Sequence, residues 1–91
     1  MNKKLPVKIK QKWVEALRSG KYKQTKGELK NGQGFCCLGV ACEIGLTKRR
    51  YNGDDLVQFK FLDNEIQNKL ATYNDNGKSF NWIANYINKY L

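Results

Sequence analysis

The N-terminal part of the chain has apolar residues at the spacing of one face of a helix, formed by Ile9, Trp13, Val14 and Leu17. Pro6 stands where the first turn of a helix accepts proline, and Gly20 stands where a helix commonly ends. The pattern therefore predicts an amphipathic helix over residues 7–19. Its polar face is rich in lysine.

Two further helices are predicted in the C-terminal part. Asp63 and Ser79 are good N-cap residues, and each is followed by an apolar face. Residues 74–78 are predicted to form the loop between the two helices. The first face consists of Ile66, Leu70 and Tyr73, and the second of Phe80, Ile83, Ala84, Ile87 and Leu91.

The middle of the chain combines a tight turn with a cysteine-bearing apolar segment. Asn31-Gly32 supplies the two positive-φ positions of a type I′ turn, so residues 27–30 and 33–36 are predicted to pair as an antiparallel hairpin. The spacing then becomes helical from Cys37 to Ile44, and Gly45 follows as a C-terminal cap. Phe59 and Phe61 alternate with polar residues, as in a half-buried strand.

These elements predict one domain over residues 1–91. Its expected class is α+β, with about four short helices and a small antiparallel β-hairpin or sheet. A helix-turn-helix DNA reader is disfavoured, because the second of the two C-terminal helices carries a single basic residue, Lys89.

Charge is distributed unevenly along this chain of net charge +9. Residues 1–50 hold 13 Lys and Arg against 3 acids, whereas residues 51–91 hold 4 against 5. This asymmetry favours an anionic partner, such as a nucleotide, a nucleic acid or an acidic protein, although a solubilising face fits it equally well. Lysines that alternate with inward-facing residues near the hairpin would also protect an exposed strand edge.

Histidine is absent, so the usual general base and the Cys–His and Ser–His nucleophile pairs are excluded. Cys36, Cys37 and Cys42 lack zinc-ligand spacing, and their odd number fits a reducing compartment. We expect small core residues, no metal, no cofactor and no enzymatic activity. A thiol-dependent enzyme using Cys36 or Cys37 is the remaining catalytic alternative.

No apolar run reaches the roughly 18 residues of a membrane span. The basic N-terminus has no apolar stretch behind it, so a signal peptide is not expected. The composition thus predicts a cytoplasmic protein without a membrane partner.

The candidate ligand-binding residues combine basic, aromatic and glycine positions. Arginines would make bidentate phosphate contacts, lysines would provide point charges, tyrosines would stack on bases, and the glycine turn would expose backbone N–H groups at a helix N-terminus. These residues are Lys21, Tyr22, Lys23, Lys30, Gly32, Gly34, Lys48, Arg49, Arg50 and Tyr51.

Several segments together resemble a family of short proteins of tailed bacteriophages and prophages. The most distinctive is Phe35-Cys36-Cys37-Leu38-Gly39-Val40, and the likeness extends over residues 13–24, 27–29 and 74–80 with Ile83-Ala84. The resemblance implies a phage accessory protein in a bacterial cytoplasm, with a counter-defence role among the possibilities. It implies no catalytic residue.

A second class of function stays open beside anion binding. Trp82, Tyr86 and Tyr90 flank the apolar face of the last helix, so some of these rings are expected to remain exposed. The protein would then be a self-associating structural or assembly protein, with a second copy of itself as the partner.

Overall fold

The computed structural model describes residues 5–26, 30–32, 34–47 and 62–91. The described elements are α1 (Val7–Arg18), β1 (Lys23–Gln24), β2 (Lys30–Asn31), β3 (Gly34–Phe35), α2 (Cys37–Glu43), α3 (Asn64–Asp75) and α4 (Phe80–Tyr90). The predicted strand around Phe59 and Phe61 lies outside the described residues.

The four predicted helices are confirmed, and local chemistry sets their ends. Asp63 Oδ1 accepts the N–H of Ile66 at 2.9 Å, and Ser79 Oγ accepts the N–H of Trp82 at 3.1 Å, so both predicted N-caps form. Gly20 and Gly45 follow α1 and α2 with φ of 77° and 82°, the left-handed conformation in which glycine has no steric cost. Pro6 precedes α1 as its N-cap instead of lying in its first turn.

The predicted fold class is wrong, because the described part of the chain is mostly helical. Each strand has two residues only, and the sheet order is β1-β3-β2. β1 pairs with β3 in parallel, and only β2 pairs with β3 in the antiparallel sense. The predicted α+β class, with a small antiparallel hairpin, gives the sheet too large a part in the fold. Three two-residue strands cannot form a layer of their own against the helices.

The hairpin register also differs from the prediction. Asn31 is the ladder partner of Gly34, so Asn31 belongs to strand β2 and does not occupy the turn. Gly32 has a φ of 60°, and no described residue other than glycine has a positive φ. A type I′ turn centred on Asn31-Gly32 is therefore excluded, because it requires a positive φ at both residues.

Helix packing forms the core. α1 packs mainly against α4, while α2 lies between α1, α3 and strand β3. Trp13 connects two of these helices, since its fully buried indole donates a hydrogen bond from Nε1 to the Cys37 carbonyl at 2.9 Å. The largest fully buried apolar side chains are Trp13, Leu38, Leu70, Ile83 and Ile87.

No helix in the described ranges is long and apolar enough to cross a membrane.

Candidate functional site

Segment 21–26 carries three exposed lysines on a strand edge. Lys21 and Lys23 are exposed, Tyr22 and Gln24 are half-buried, and Lys26 is exposed again. β1 is an outer strand of the sheet, with β3 as its neighbour. Over residues 21–24 exposed lysines thus alternate with half-buried residues, which is the condition under which edge lysines protect a strand. We call Lys21, Lys23 and Lys26 the basic edge.

A buried amide fixes the basic edge against the end of α3. Asn74 has no exposed surface; its Oδ1 accepts a hydrogen bond from Gln24 Nε2 at 2.8 Å, and its Nδ2 donates one to the Thr25 carbonyl at 2.7 Å. Gln24 Nε2 also donates to the Lys78 carbonyl at 2.7 Å. The Thr25 N–H donates to the Phe35 carbonyl at 2.8 Å. The backbone that carries the three lysines is therefore held from two sides.

Sequence reasoning missed this amide pair. The sequence pattern predicts Asn74 in the loop at 74–78, whereas Asn74 and Asp75 complete the last turn of α3. A signal was present in the spacing: Gln67, Leu70 and Asn74 lie at i, i+3 and i+7, and all three are buried. Polar residues at core positions require hydrogen-bond partners, so Gln67 and Asn74 were candidates for tertiary hydrogen bonds.

The other predicted ligand residues are only partly brought together. Tyr22 is half-buried, and its ring meets Phe35 edge-to-face with centroids 5.6 Å apart, so the ring is engaged in packing. Lys30 lies in β2, two strands from Lys23 in the sheet order. The predicted cluster Lys48, Arg49, Arg50 and Tyr51 lies outside the described residues.

The two glycines of the predicted anion turn lie in different surroundings. Gly32 is exposed, whereas Gly34 is buried in β3. Residues 34–41 are buried, including the start of α2, and Cys36 Sγ already accepts the Gly39 N–H at 3.4 Å. The start of α2 therefore faces the interior of the protein.

All three cysteines were expected to be core residues, and the prediction is confirmed for Cys36 and Cys37 but only in part for Cys42. Cys36 and Cys37 are buried, and Cys42 is half-buried. Burial, with a smaller effect of the neighbouring Cys36, raises the pKa of the Cys37 thiol well above its ordinary value. A thiol held in its protonated form is a poor nucleophile. Within the described ranges, no group of three or more His, Cys, Asp or Glu side chains is arranged to hold a metal ion.

A second exposed feature runs along α3 and α4. Tyr73, Trp82, Tyr86 and Tyr90 form a continuous series of ring contacts, with centroids 5.0 Å apart for Tyr73 and Trp82, 5.2 Å for Tyr73 and Tyr86, and 4.8 Å for Tyr86 and Tyr90. Trp82 is 39% exposed and Tyr90 is 57% exposed. Some of the rings that flank the apolar face of α4 are therefore exposed, as predicted, while Tyr86 is half-buried. We call these four residues the aromatic stripe.

Lysines lie at both ends of the aromatic stripe, since Lys89 Nζ lies 5.2 Å from the centroid of the Tyr90 ring. At one end, Lys78 Nζ lies 4.9 Å from the centroid of the Trp82 ring, within the range of a cation–π contact. At the other end there is a cleft of about 290 Å³. Its lining consists of Asp63, Glu65, Ile66, Lys69, Tyr86, Tyr90 and Leu91.

A family model described as "Domain of unknown function (DUF8296)" matches residues 3–60 of the chain. The matched part contains the basic edge, α1 and α2, whereas the aromatic stripe lies beyond it. No curated protein and no solved structure matches the chain.

Proposed function

Because the chain belongs to the DUF8296 family, whose description assigns no activity, we propose a function from the described residues. The protein is a non-enzymatic binding protein, and its basic edge holds an anionic, phosphate-bearing ligand of the nucleotide or nucleic-acid class. The observation that carries this proposal is the fixed, exposed set Lys21, Lys23 and Lys26.

Charge supports an anionic ligand. All three side chains are exposed, and the half of the chain in which they lie, residues 1–50, holds 13 Lys and Arg against 3 acids. Lysine ammonium groups act on phosphates as point charges, and summed positive potential attracts polyanions from a distance. An edge strand needs some charge to prevent pairing with other chains, but this role does not require its backbone to be anchored by a buried amide such as that of Asn74.

The anchoring supports a binding role more directly. Gln24 and Asn74 link the basic edge to α3, and β1 is paired with β3. A surface whose backbone is already ordered loses less conformational entropy when a ligand binds. Three lysines on such a segment therefore bind an anion more tightly than three lysines on a free loop.

The proposed setting follows from the resemblance to phage proteins. An accessory protein made in a bacterial cytoplasm meets nucleotide signals and nucleic acids at high concentration, and sequestering such a signal would serve counter-defence. An acidic host protein is the competing partner, and the binding experiment separates it from the phosphate ligands.

Binding is measured by fluorescence anisotropy and calorimetry at low salt, with single-stranded DNA, duplex DNA, RNA and cyclic nucleotides as separate probes. The test variant is Lys23→Glu/Lys26→Glu, and the matched control is Lys8→Glu/Lys12→Glu, which makes the same charge change on the exposed face of α1. We expect the test variant to weaken binding by about tenfold more than the control, and the wild-type affinity to fall with salt.

Two outcomes would contradict the proposal. The first is that none of these probes binds at low salt, which would leave the acidic protein as the partner class. The second is that both double variants weaken binding equally, because binding would then depend on the net charge and not on the basic edge.

A further inference from the structure

The turn between α3 and α4 joins the basic edge to the exposed ring of Trp82. Gln24 Nε2 donates a hydrogen bond to the Lys78 carbonyl at 2.7 Å. Lys26 Nζ lies 3.6 Å from the position that a Cβ of Gly77 would occupy. On the other side of the turn, Lys78 Nζ lies 4.9 Å from the centroid of the Trp82 ring. The basic edge, Lys78 and this ring therefore form one continuous surface.

The charges near this surface favour an anion at the Trp82 end of α4. Residues 21–26 and 74–78 together hold four lysines against one acid, Asp75. Around Tyr90, at the other end of the helix, two lysines face two acids and the charges cancel; these residues are Lys69, Lys89, Asp63 and Glu65. Positive potential attracts phosphate groups. A phosphate-bearing ligand on the basic edge thus has the Trp82 ring as its aromatic neighbour.

The Trp82 ring is held in place and is still accessible. Tyr73 meets it edge-to-face with centroids 5.0 Å apart, and Tyr86 lies nearly parallel to it, at 12° and 5.9 Å. Trp82 nevertheless remains 39% exposed, and Lys78 over its ring is exposed as well. A cation–π contact at an exposed site is weak. A flat ligand group can therefore replace the ammonium over the indole, while the ammonium pairs with an anion beside it.

We propose that the ligand of the basic edge carries an unpaired nucleobase, which stacks on Trp82 while its phosphates contact Lys26 and Lys78. This inference rests on the proposed function and narrows it to single strands and free nucleotides. Bases in a duplex are stacked on one another and must leave the helix before a protein ring can reach them. Positive charge along the backbone with aromatic rings under the bases is the general arrangement that binds single strands.

Tryptophan fluorescence reports the proposed stacking directly. The chain has two tryptophans, and Trp13 is fully buried, so Trp82 is the indole that a ligand reaches. Titration with an oligothymidylate at low salt is expected to quench the emission over the same concentrations at which anisotropy reports binding. An abasic oligonucleotide of equal length keeps the phosphates and should bind about tenfold more weakly, without quenching. A cyclic nucleotide, titrated separately, distinguishes a free nucleotide from a single strand as the source of the base.

Substitutions locate the stacking at one ring. Trp82→Ala is expected to weaken oligothymidylate binding by about tenfold. Trp82→Phe keeps an aromatic face and should stay within about threefold of the wild-type affinity while the quenching disappears, so the inference is tested even if the alanine variant fails to fold. Lys78→Glu should weaken binding by about tenfold, since it removes a phosphate contact and introduces repulsion.

The other end of α4 supplies matched controls. Tyr90 is 57% exposed and also has a lysine near its ring, Lys89, but its surroundings hold equal numbers of acids and lysines. Tyr90→Ala should leave the affinity within about twofold of wild type, and Lys89→Glu should weaken binding much less than Lys78→Glu. Circular dichroism checks that each variant is folded.

Oligothymidylate binding without a change in tryptophan emission would overturn this inference and leave the proposed function standing. Equal affinities of the intact and abasic oligonucleotides would do the same, as would equal losses in Trp82→Ala and Tyr90→Ala or a duplex that binds more tightly than the single strand. Absence of binding by every phosphate-bearing probe would overturn both the inference and the proposed function.

Discussion

Asn74 shows how one residue connects elements that are distant in sequence. It lies in the last turn of α3, and its amide group joins Gln24 and Thr25, about fifty residues earlier in the chain, at 2.8 Å and 2.7 Å. A buried polar group is stabilising only when its hydrogen bonds are made. The position of the basic edge therefore depends on this side chain.

Replacing Asn74 by alanine is expected to lower the free energy of unfolding by about 2 kcal/mol, because the Thr25 carbonyl and one N–H of Gln24 lose their partner. Urea denaturation followed by circular dichroism measures the change. Asn68→Ala, an exposed position on the same helix, is the control and should stay within about 0.5 kcal/mol of wild type. Equal effects of the two substitutions would show that the Asn74 hydrogen bonds are not the cause.

The buried thiol of Cys37 makes the free energy of unfolding depend on pH. Burial raises the pKa of its thiol in the folded protein, whereas in the unfolded chain the pKa returns to the ordinary value of about 8.5. The stability that this protonated thiol contributes is fully present below the unfolded pKa and is lost as the pH rises above it, because only the unfolded chain then releases the proton.

Denaturation between pH 7 and 10 is expected to show stability falling above pH about 8.5, with a contribution from this thiol of up to about 1.4 kcal/mol per pH unit. Cys37→Ala removes the titrating group and should reduce the slope by that amount, whatever its effect on stability at pH 7. An unchanged slope in the variant would assign the pH dependence to other groups.

At the scale of elements, the helices are determined locally and the strands are not. Each helix has its own apolar face, and Asp63, Ser79, Gly20 and Gly45 mark boundaries that sequence reasoning placed within one or two residues. β1 has only Lys23 and Gln24, too short for any periodicity. Its parallel pairing with β3 goes together with hydrogen bonds of Gln24 to Asn74 and of Thr25 to Phe35, contacts between distant residues that local sequence does not encode.

Substitutions of Ser79 test whether the N-cap hydrogen bond stabilises the start of α4. Ser79→Ala removes the acceptor for the Trp82 N–H, and it is expected to cost about 1 kcal/mol of stability. Ser79→Asp keeps an acceptor at the N-cap and should remain near wild type in thermal denaturation. If the aspartate variant were as unstable as the alanine variant, the hydroxyl contact would not be the stabilising feature.

For the whole molecule, the core depends on Trp13 at the junction of the helices. α1 contacts both α4 and α2, and the indole hydrogen bond to the Cys37 carbonyl fixes the α1–α2 contact. A further tie is the bond from the Leu5 N–H to the Leu91 carbonyl at 2.9 Å. The basic N-terminal segment is thereby joined to the C-terminal helix.

Trp13→Phe is expected to lower the free energy of unfolding by about 2–3 kcal/mol, because it removes the indole donor and leaves space in the core. Trp82→Phe makes the same chemical change on the aromatic stripe, at a residue that is 39% exposed. At dilute protein concentration it should change stability by less than about 1 kcal/mol. Comparable losses in the two variants would contradict the central position assigned to Trp13.

The sequence by itself determined the four helices, the burial of Cys36 and Cys37, and the exposure of some of the rings that flank the apolar face of α4. Each of these follows from spacing, capping or residue type within about a dozen residues, which is the range over which a helix or strand pattern acts. Only the tertiary structure decided the strand register, the mixed sheet, the burial of Asn74 and the cleft beside Tyr90. These depend on contacts between residues far apart in the chain, where shape and hydrogen-bond partners select one arrangement from many that the local pattern allows.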